Sequence, residues 1–219
     1  MKAAIFDLDG TILDSMPVWR DLGNRLCRAL GFEPPENLYA TVKSMTLDES
    51  ADYLIKLSGY KTTKEEMAQM HYKLIKDFYE NEVQLKPRVK EYLALLKEKN
   101  IPMCVATETD STLAQKALER TGVAEYFQFC LSSKDIGKGK HFPDLYEMAA
   151  KKMGYEKEDV VIYEDACYAV RTAKKAGFEV HCIHDDSQKH DTEELKMLAD
   201  HFFEDYEQYI SSAKERQDN

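Results

Sequence analysis

Residues 1–15 of the chain read MKAAIFDLDGTILDS and place a short apolar run directly before two aspartates. The run AAIF is ended by charge and by Gly10, a pattern typical of a strand that is covered on both faces in a parallel sheet. The carboxyl ends of such strands border the ligand crevice of an open α/β sheet. Asp7 and Asp9 are two residues apart, so on an extended chain both side chains face that crevice. Two carboxylates this close repel each other unless a cation or a shared proton lies between them, so the motif indicates a bound partner.

The overall composition is that of an ordinary globular protein. With 219 residues, of which 43% are hydrophobic, the chain can bury one substantial core and a smaller accessory domain. It carries 30 basic and 40 acidic residues, and the resulting net charge of −10 argues against a general nucleic-acid or anionic membrane surface. We therefore expect neither a nucleic-acid partner nor a membrane partner.

The cysteines and the N-terminal residues indicate the cellular compartment of the protein. Its five cysteines are an odd number without a C-x-x-C pair, which is typical of reduced thiols. Only four apolar residues separate Lys2 from Asp7, too few for a signal peptide, and no apolar run reaches membrane-spanning length. These features predict a cytoplasmic protein.

Residues 15–86 show helical periodicity only. Apolar residues recur there at spacings of three and four, in the sets Val18, Leu22 and Leu26; Leu47, Leu54 and Ile55; and Met67, Leu74 and Phe78. This stretch is therefore predicted to be an all-helical domain, inserted directly after the double-aspartate motif.

From Ile101 onward, short apolar runs alternate with helical patterns, the runs being MCVAT, FQFCL, VVIY and FEVHCI. Such alternation predicts a parallel sheet with helices on both faces, to which the first run AAIF also belongs. The expected fold is thus α/β, with a doubly wound parallel sheet built from residues 1–14 and 87–219. We expect the polar tail 211–219 to be frayed.

Other polar residues fall at the predicted ends of strands, where the crevice would lie. Thr107 ends MCVAT, Lys138 and Lys140 lie in the loop GKGKHFPD, and Glu164 and Asp165 follow VVIY. If these residues converge with the first two aspartates, the crevice holds three or four carboxylates. Such a group suits a hard, oxygen-seeking dication such as Mg²⁺, and a lysine would balance the remaining charge.

Four ordered stretches of the chain resemble the motifs of the haloacid dehalogenase superfamily of phosphohydrolases. They are DLDGT, the strand-end Thr107, Lys140 followed by Pro143-Asp144, and YED ahead of AVRTAKKAG. The helical insertion after the first motif is similar to the cap of the subfamily that includes phosphoglycolate phosphatase and β-phosphoglucomutase. The resemblance implies a Mg²⁺-dependent phosphomonoesterase that acts on a small phosphorylated metabolite, with sugar phosphates favoured.

The resemblance also implies roles for the acidic residues. Asp7 would be the nucleophile that forms an aspartyl-phosphate intermediate, which water then hydrolyses. Asp9 would donate a proton to the leaving oxygen and later take one from water. Asp7 and Asp165 would bind Mg²⁺ through their side chains, and Asp9 would bind it through its backbone carbonyl.

The remaining motif residues would support this chemistry. Thr107 and Lys140 would hold the transferring phosphoryl oxygens, and Gly10 would permit a close turn. Thr11 occupies a position where mutases commonly have valine, which favours a phosphatase. Glu164 would reach the metal through a water or support the direct ligands.

Several of these residues have a second interpretation. Thr107 could be the N-cap of the helix that follows it, and Lys138 competes with Lys140 for the phosphate-binding role. Trp19 is a candidate for lining the cleft beneath the cap, with a buried anchor in the cap's own core as the alternative. A further polar group, consisting of His181, His184, Asp185 and Asp186, suggests a second metal site, but its spacing favours a polar strand end.

Departures from the family pattern limit the substrate prediction. Glu108 follows Thr107 where Asn or Ser is common, so it either points away from phosphate or meets a cationic substrate group, and His141 replaces a usual proline. Trp19 and Leu47 stand where the mutases carry a cap histidine and arginine. We therefore prefer a phosphatase to a mutase-type phosphotransferase. A non-catalytic metal- or phosphate-binding regulatory protein is the third alternative, against which the intact pair of aspartates counts.

Overall fold

The computed structural model describes residues 1–42, 45, 47–59 and 63–215. The chain forms two compact units, one of Met1–Ser15 with Val83–Asn219 and the other of Met16–Glu82. The sequence predicted slightly wider bounds, residues 15–86, for the inserted helical domain. Residues after 82 belong to the first unit because they pair with the segment behind the first strand: Leu13 and Leu85 form an antiparallel bridge, and the Lys86 amide donates to the Ile12 carbonyl at 2.9 Å.

The larger unit contains a parallel sheet whose six strands run in the order β3-β2-β1-β4-β5-β6. The strands are β1 Ala3–Phe6, β2 Met103–Thr107, β3 Phe127–Ser132, β4 Val160–Glu164, β5 Glu179–Ile183 and β6 His201–Phe203. The chain moves from β1 outward to β3, then returns to the other side of β1 for β4 to β6. This confirms the predicted doubly wound parallel sheet. Strand order reverses at β1, so the carboxyl ends of β1, β2 and β4 are where a crevice is expected.

The smaller unit is helical in its described residues. Its helices are α1 Met16–Ala29, α2 Leu38–Val42, α3 Leu47–Ser58 and α4 Lys64–Asp77, the last continuing into a π-helical turn at Phe78–Glu82. The start of α4 is fixed by a capping box, in which the Thr63 hydroxyl accepts from the Glu66 amide and the Glu66 carboxylate accepts from the Thr63 amide. The helices share their own core of buried residues, made up of Leu26, Cys27, Leu38, Leu54 and Met67.

Seven helices accompany the sheet in the described part of the larger unit. They are α5 Val89–Glu98, α6 Ser111–Arg120, α7 Ser133–Ile136, α8 Asp144–Met153, α9 Cys167–Ala176, α10 Thr192–Leu198 and α11 Tyr206–Glu215. Of the tail predicted to fray, residues 211–215 are helical, and residues 216–219 lie outside the described residues. Among the described helices, none has the length and apolar content that crossing a membrane requires.

Burial of the sheet explains why the first strand reads as a continuous apolar run. All four residues of β1 are fully buried, and Phe6 stacks on Tyr163 of β4 with ring centroids 4.2 Å apart. Each large apolar side chain buried in this way contributes about 1.5–3 kcal/mol to the free energy of unfolding. The strand is therefore held firmly, and the residues that follow it have a fixed starting point. All five cysteines are free thiols.

Candidate active site

Asp7 leaves the carboxyl end of β1 inside the protein. It is only 5% exposed, and its amide donates to the Tyr163 carbonyl at 2.9 Å, which extends the pairing of β1 with β4. The register of β1 with β2 pairs Phe6 with Val105, so Thr107 ends its strand beside the segment that carries the two aspartates. Three neighbouring strand ends thus supply the predicted site residues.

Lys140 reaches this point from the loop between α7 and α8. Its ammonium donates to Asp7 Oδ1 and to Glu164 Oε1, the latter at 2.5 Å, and the residue is only 2% exposed. Burial works against the charged form, but the Asp7 and Glu164 carboxylates outweigh it and raise the pKa of Lys140 above its ordinary value. Lys140 is therefore a cation at any physiological pH. Lys138, its rival in the sequence, pairs with Asp144 at the surface.

Glu164 holds the lysine in place. Besides the ammonium, its carboxylate accepts from the Tyr146 hydroxyl at 2.7 Å and from the Asp165 amide at 3.1 Å. With both oxygens occupied by protein donors, Glu164 is the counter-ion of Lys140. Tyr146, on α8, did not stand out in the sequence because nothing in the pattern separates it from a core aromatic residue.

Three buried carboxylates meet at the carboxyl ends of β1 and β4. Asp7, Glu164 and Asp165 each offer a ligand atom, and these atoms lie within 4.8 Å of one another. Burial raises the pKa of Asp7 to about 8, with Glu164 and Asp9 adding to the effect and Lys140 opposing it. Burial likewise raises the pKa of Asp165 well above its ordinary value, and the carboxylates of Asp7 and Glu164 reinforce this shift. One lysine cannot balance three such groups, so the donor set fits a hard dication with oxygen ligands.

Asp165 packs directly against the backbone of Gly10. A Cβ atom on Gly10 would lie 2.4 Å from Asp165 Oδ2, and the backbone there has φ of +85°, a conformation that favours glycine. The neighbouring Thr11 hydroxyl donates to Asp165 Oδ1 at 3.3 Å. The two residues after Asp9 in the motif therefore shape the place where Asp165 sits.

The Asp9 carboxylate is held by two hydroxyl groups. Ser15 Oγ donates to Asp9 Oδ1 and Thr109 Oγ1 donates to Asp9 Oδ2, each at 2.6 Å. Neither hydroxyl was singled out in the sequence, although Thr109 stands two residues after the strand-end Thr107. A hydroxyl can both donate and accept, so these two residues can hold Asp9 whether or not it carries a proton.

Thr107 is fully buried, and its hydroxyl accepts from the Thr109 amide at 3.0 Å. The N-cap interpretation of Thr107 is wrong. The cap of α6 is Asp110, whose carboxylate accepts from the Thr112 amide at 3.0 Å. The turn between Thr107 and Thr109 instead brings the Thr109 hydroxyl back to Asp9.

Glu108 faces the lysine loop. Its Oε1 accepts from the backbone amide of Lys140 at 2.9 Å, and its Oε2 accepts from the Tyr168 hydroxyl at 2.8 Å. A Cβ atom on Gly139 would lie 2.8 Å from Glu108 Oε1, so the carboxylate is packed against the loop backbone. The Tyr168 ring also contacts His141, at 4.5 Å between centroids. The acidic side chain is therefore occupied by donors of the protein itself.

Trp19 belongs to the helical unit. Its indole N–H donates to the hydroxyl of the buried Tyr79 at 3.1 Å, and it lines a cavity of about 400 Å³ within that unit. These contacts are those of an anchor in the unit's own interior, and a role in a substrate cleft stays a prediction. The side chain of Leu47 lies outside the described residues.

The polar residues that suggested a second metal site do not form one group among the described residues. Asp185 pairs with Lys86 at 2.8 Å, and His184 pairs with Asp186 at 3.3 Å. His181 instead contacts Glu179, at 2.8 Å. The set of four is therefore a polar strand end, as the spacing favours.

Comparison with known proteins decides the family. Residues 4–183 match the family described as haloacid dehalogenase-like hydrolases. The chain belongs to this family. The resemblance found in the sequence motifs is thereby confirmed, and the HAD-like assignment extends over most of the chain.

Two relatives illustrate the range of HAD proteins similar to this one. A phosphorylated carbohydrates phosphatase of Thermotoga maritima is 27% identical over 190 residues, which cover 84% of this chain and 88% of the relative. A beta-phosphoglucomutase of Bacillus subtilis is 26% identical over 188 residues, covering 81% and 80%. Among solved structures, a Thermotoga maritima protein assigned as a beta-phosphoglucomutase superposes with a TM-score of 0.83, at 24% identity, over 98% of this chain and 99% of that one. This last likeness bears on the fold.

Proposed function

We propose that this HAD protein is a Mg²⁺-dependent phosphomonoester hydrolase that acts through an aspartyl-phosphate on a small phosphorylated metabolite, with sugar phosphates the favoured class. The observation that carries the proposal is the buried pairing of Lys140 with Asp7, beside Asp165 and two residues from Asp9. The names of relatives support it, since they include a phosphorylated carbohydrates phosphatase, a fructose-1-phosphate phosphatase and phosphoglycolate phosphatases.

Asp7 is the proposed nucleophile. A carboxylate oxygen of Asp7 attacks phosphorus, so a bond from Asp7 to phosphorus forms as the ester bond to the leaving oxygen breaks. Asp9 gives that oxygen a proton. In the second half, Asp9 takes a proton from water, the water oxygen attacks phosphorus, and phosphate leaves as the Asp7 carboxylate is regenerated.

Asp7, Asp165 and the backbone carbonyl of Asp9 are the groups that would hold Mg²⁺. When bound, the ion supplies positive charge that offsets the phosphoryl oxygens and the buried carboxylates. Such charge is needed, because burial and the neighbouring carboxylates raise the pKa of Asp7 to about 8 despite Lys140, and a nucleophile must be ionised at neutral pH. Lys140 provides a fixed cation for the transferring oxygens, and we assign Thr107 to the same oxygens.

Positioning of Asp9 is the task that we assign to Ser15 and Thr109. Each hydroxyl fixes one carboxyl oxygen at 2.6 Å, which leaves the group little rotational freedom. We assign to the helical unit the role of a cap that limits the access of water. The sequence predicted this unit to span residues 15–86, and in the structure it spans Met16–Glu82.

The test is release of phosphate from a generic aryl phosphate such as p-nitrophenyl phosphate. We expect Asp7→Asn to lower kcat by at least about 10³-fold while the far-UV circular dichroism stays that of the folded wild type. Chelation of divalent ions should abolish activity, and added Mg²⁺ should restore it. Asp186→Asn is the matched control, because the Asp186 side chain is 90% exposed. Unchanged activity in Asp7→Asn would remove the assignment, and an inactive wild type with normal Mg²⁺ binding would favour the regulatory alternative.

A mutase-type phosphotransferase is the second candidate, because one relative, 26% identical over 81% of this chain, is named a beta-phosphoglucomutase. The two activities differ in product. A phosphatase yields free phosphate from a sugar phosphate, whereas a mutase yields an isomeric sugar phosphate. A panel of phosphorylated metabolites with both products measured separates them, and we expect free phosphate.

A further inference from the structure

A second group of side chains with metal-binding chemistry lies on strands β5 and β6. It consists of Glu179, His181 and His201, whose potential ligand atoms lie within 4.8 Å of one another. We propose that these three residues bind a divalent transition metal ion of the zinc type, at a site separate from the catalytic carboxylates.

The backbone brings the three side chains together. Glu179 and His181 are two residues apart on β5, so both point to the same face of the sheet. His201 begins β6 and is the direct partner of His181 in the register of the two parallel strands. The two imidazole rings meet edge to face, with centroids 4.8 Å apart. Two neighbouring strands therefore offer three ligands on one surface without any loop having to fold over them.

The donor set favours a borderline ion over Mg²⁺. Two imidazoles and one carboxylate are typical ligands of zinc, whereas magnesium takes oxygen ligands. In a tetrahedral zinc site, ligand atoms lie about 3.4 Å apart. Glu179 Oε1 and His181 Nε2 are 2.8 Å apart, and the largest separation in the group is 4.8 Å or less, so shifts of about 1 Å would complete the geometry.

The exposure of the group suits this proposal. His181 is 8% exposed, whereas the Glu179 side chain is 42% exposed and His201 is an exposed residue. The buried ligand gives a fixed point, and the two exposed ligands are free to adjust. Solvent can supply the fourth ligand from the open side.

The His181 ring is held in place by its surroundings, with Nε2 beside Glu179. Its Nδ1 is buried and has no hydrogen-bond partner among the described residues, while the ring is packed against Tyr163 and Tyr209. Through Nε2, His181 would share a bound ion with Glu179 and His201.

The site is independent of the proposed phosphatase function. Glu179 and His181 are in register with Val161 and Tyr163 of β4, which precede Asp165 by four and two residues. The carboxylates of the catalytic group leave the ends of β1 and β4, whereas this group lies at the beginning and middle of β5 and at the start of β6. Binding here would tie the outermost strand β6 to the rest of the sheet.

The experiment is titration of the full chain with Zn²⁺ by calorimetry, in excess Mg²⁺ so that the catalytic carboxylates are occupied. We expect one Zn²⁺ per chain, and a loss of affinity of at least about 100-fold in His201→Gln, since a direct ligand matters more than the outer partners whose loss costs 10- to 100-fold. Glu179→Gln should also weaken binding. His190→Gln removes an exposed histidine outside the group and should leave binding unchanged.

Two further measurements test whether the ion binds at Glu179, His181 and His201. Co²⁺ in place of Zn²⁺ should give a visible absorption band in the wild type and in His190→Gln, but none in His201→Gln. Saturation with Zn²⁺ should raise the melting temperature by about 5–10 °C in the wild type and in His190→Gln, but not in His201→Gln. Zn²⁺ binding that survives His201→Gln and disappears in Asp165→Asn would place the ion at the catalytic carboxylates and overturn the proposal, as would no binding at all. Neither result depends on whether the protein hydrolyses phosphate esters.

Discussion

At the scale of single residues, Gly10 has the most restrictive surroundings. Its backbone has φ of +85°, and an added Cβ would lie 2.4 Å from Asp165 Oδ2. Replacing Gly10 with any other residue would therefore have two effects. It would strain the backbone by about 1–2 kcal/mol, and it would displace Asp165, a proposed metal ligand.

We predict that Gly10→Ala abolishes measurable phosphatase activity and weakens Mg²⁺ binding. Gly154→Ala is the matched control, because Gly154 has φ of +82° but no atom within 4 Å of the added Cβ. In urea titrations with chelator present, Gly10→Ala should lose at least as much free energy of unfolding as Gly154→Ala, because its added Cβ also meets Asp165. Only Gly10→Ala should lose activity, and equal losses of activity in both variants would contradict the proposed role of the Asp165 contact.

Glu108 is the second residue with a distinctive set of contacts. Its two oxygens join the Lys140 amide to the Tyr168 hydroxyl, so one side chain links the end of β2, the lysine loop and α9. We predict that Glu108→Ala lowers kcat/KM by about 10- to 100-fold through misplacement of Lys140, whereas Glu108→Gln, which keeps an amide oxygen as acceptor, recovers part of this loss.

Steady-state kinetics with Tyr168→Phe and the double variant test this coupling. If Glu108 acts by fixing the lysine loop, the two single effects are less than additive, and Glu158→Ala at the exposed surface has no effect. If Glu108 instead recognised a group of the substrate, Glu108→Ala would raise KM without changing kcat, and Tyr168→Phe would have the kinetics of the wild type.

At the scale of elements, one ion pair joins two segments that are distant in sequence. Lys86, just before α5, pairs with Asp185, just after β5, at 2.8 Å, and also donates to the His184 carbonyl at 2.9 Å. Both side chains are largely buried, 12% and 7% exposed. Burial opposes ionisation of Asp185, yet the hydrogen bond and charge of Lys86 outweigh it and lower the pKa of Asp185 below its ordinary 3.8.

This shift predicts how stability depends on pH. Because the folded-state pKa of Asp185 is lower than the unfolded-state value, its contribution is complete above that unfolded value and is lost as the pH falls through the folded value. Asp185→Asn should therefore cost about 1–3 kcal/mol of unfolding free energy at pH 7, and the difference from the wild type should shrink below about pH 4. Urea titrations at several pH values measure it, with Asp186→Asn as the neighbouring exposed control. A difference that stays constant down to pH 3 would show that the ion pair is not its source.

Most strands of the sheet could be predicted from the sequence, whereas some elements and site residues could not. Continuous apolar runs predicted β1 to β5, because strands buried on both faces leave no room for polar residues. Strand β6 was missed since three residues are too few to show a period. Residues 211–215 were expected to fray because they are mostly polar, but they continue α11, whose first half holds the buried Tyr206 and Tyr209. In the site, charged residues at strand ends could be found, whereas Ser15, Thr109, Tyr146 and Tyr168 could not. Their hydroxyls matter only through contacts between segments that the fold brings together.

At the scale of the whole molecule, stability and the proposed catalysis are opposed at the carboxylate group formed by Asp7, Glu164 and Asp165. Asp7, Glu164 and Asp165 are buried with a single lysine among the described residues that contact them, and burial raises the pKa of Asp165 well above its ordinary value. This group therefore destabilises the folded chain, and the proposed Mg²⁺ would offset that cost.

We predict that, in chelator, Asp165→Asn melts at a higher temperature than the wild type. Mg²⁺ at 100 times its dissociation constant should then stabilise the wild type by about 2.7 kcal/mol, or about 5–10 °C, and should leave Asp165→Asn unchanged. Thermal melts followed by circular dichroism, with and without Mg²⁺, give the melting temperature of each protein and its shift on Mg²⁺ binding. An equal Mg²⁺ shift in the variant would mean that the ion binds elsewhere.

The antiparallel bridge between Leu13 and Leu85 has a consequence for how this architecture can diversify. The chain departs from the sheet and rejoins it at points whose Cα atoms lie about 5 Å apart, as in any antiparallel pair. A foreign module with closely spaced ends could be grafted there without altering the register of a single strand. Evolution can thus exchange the helical unit while the strand ends that carry the proposed phosphoryl chemistry are inherited intact.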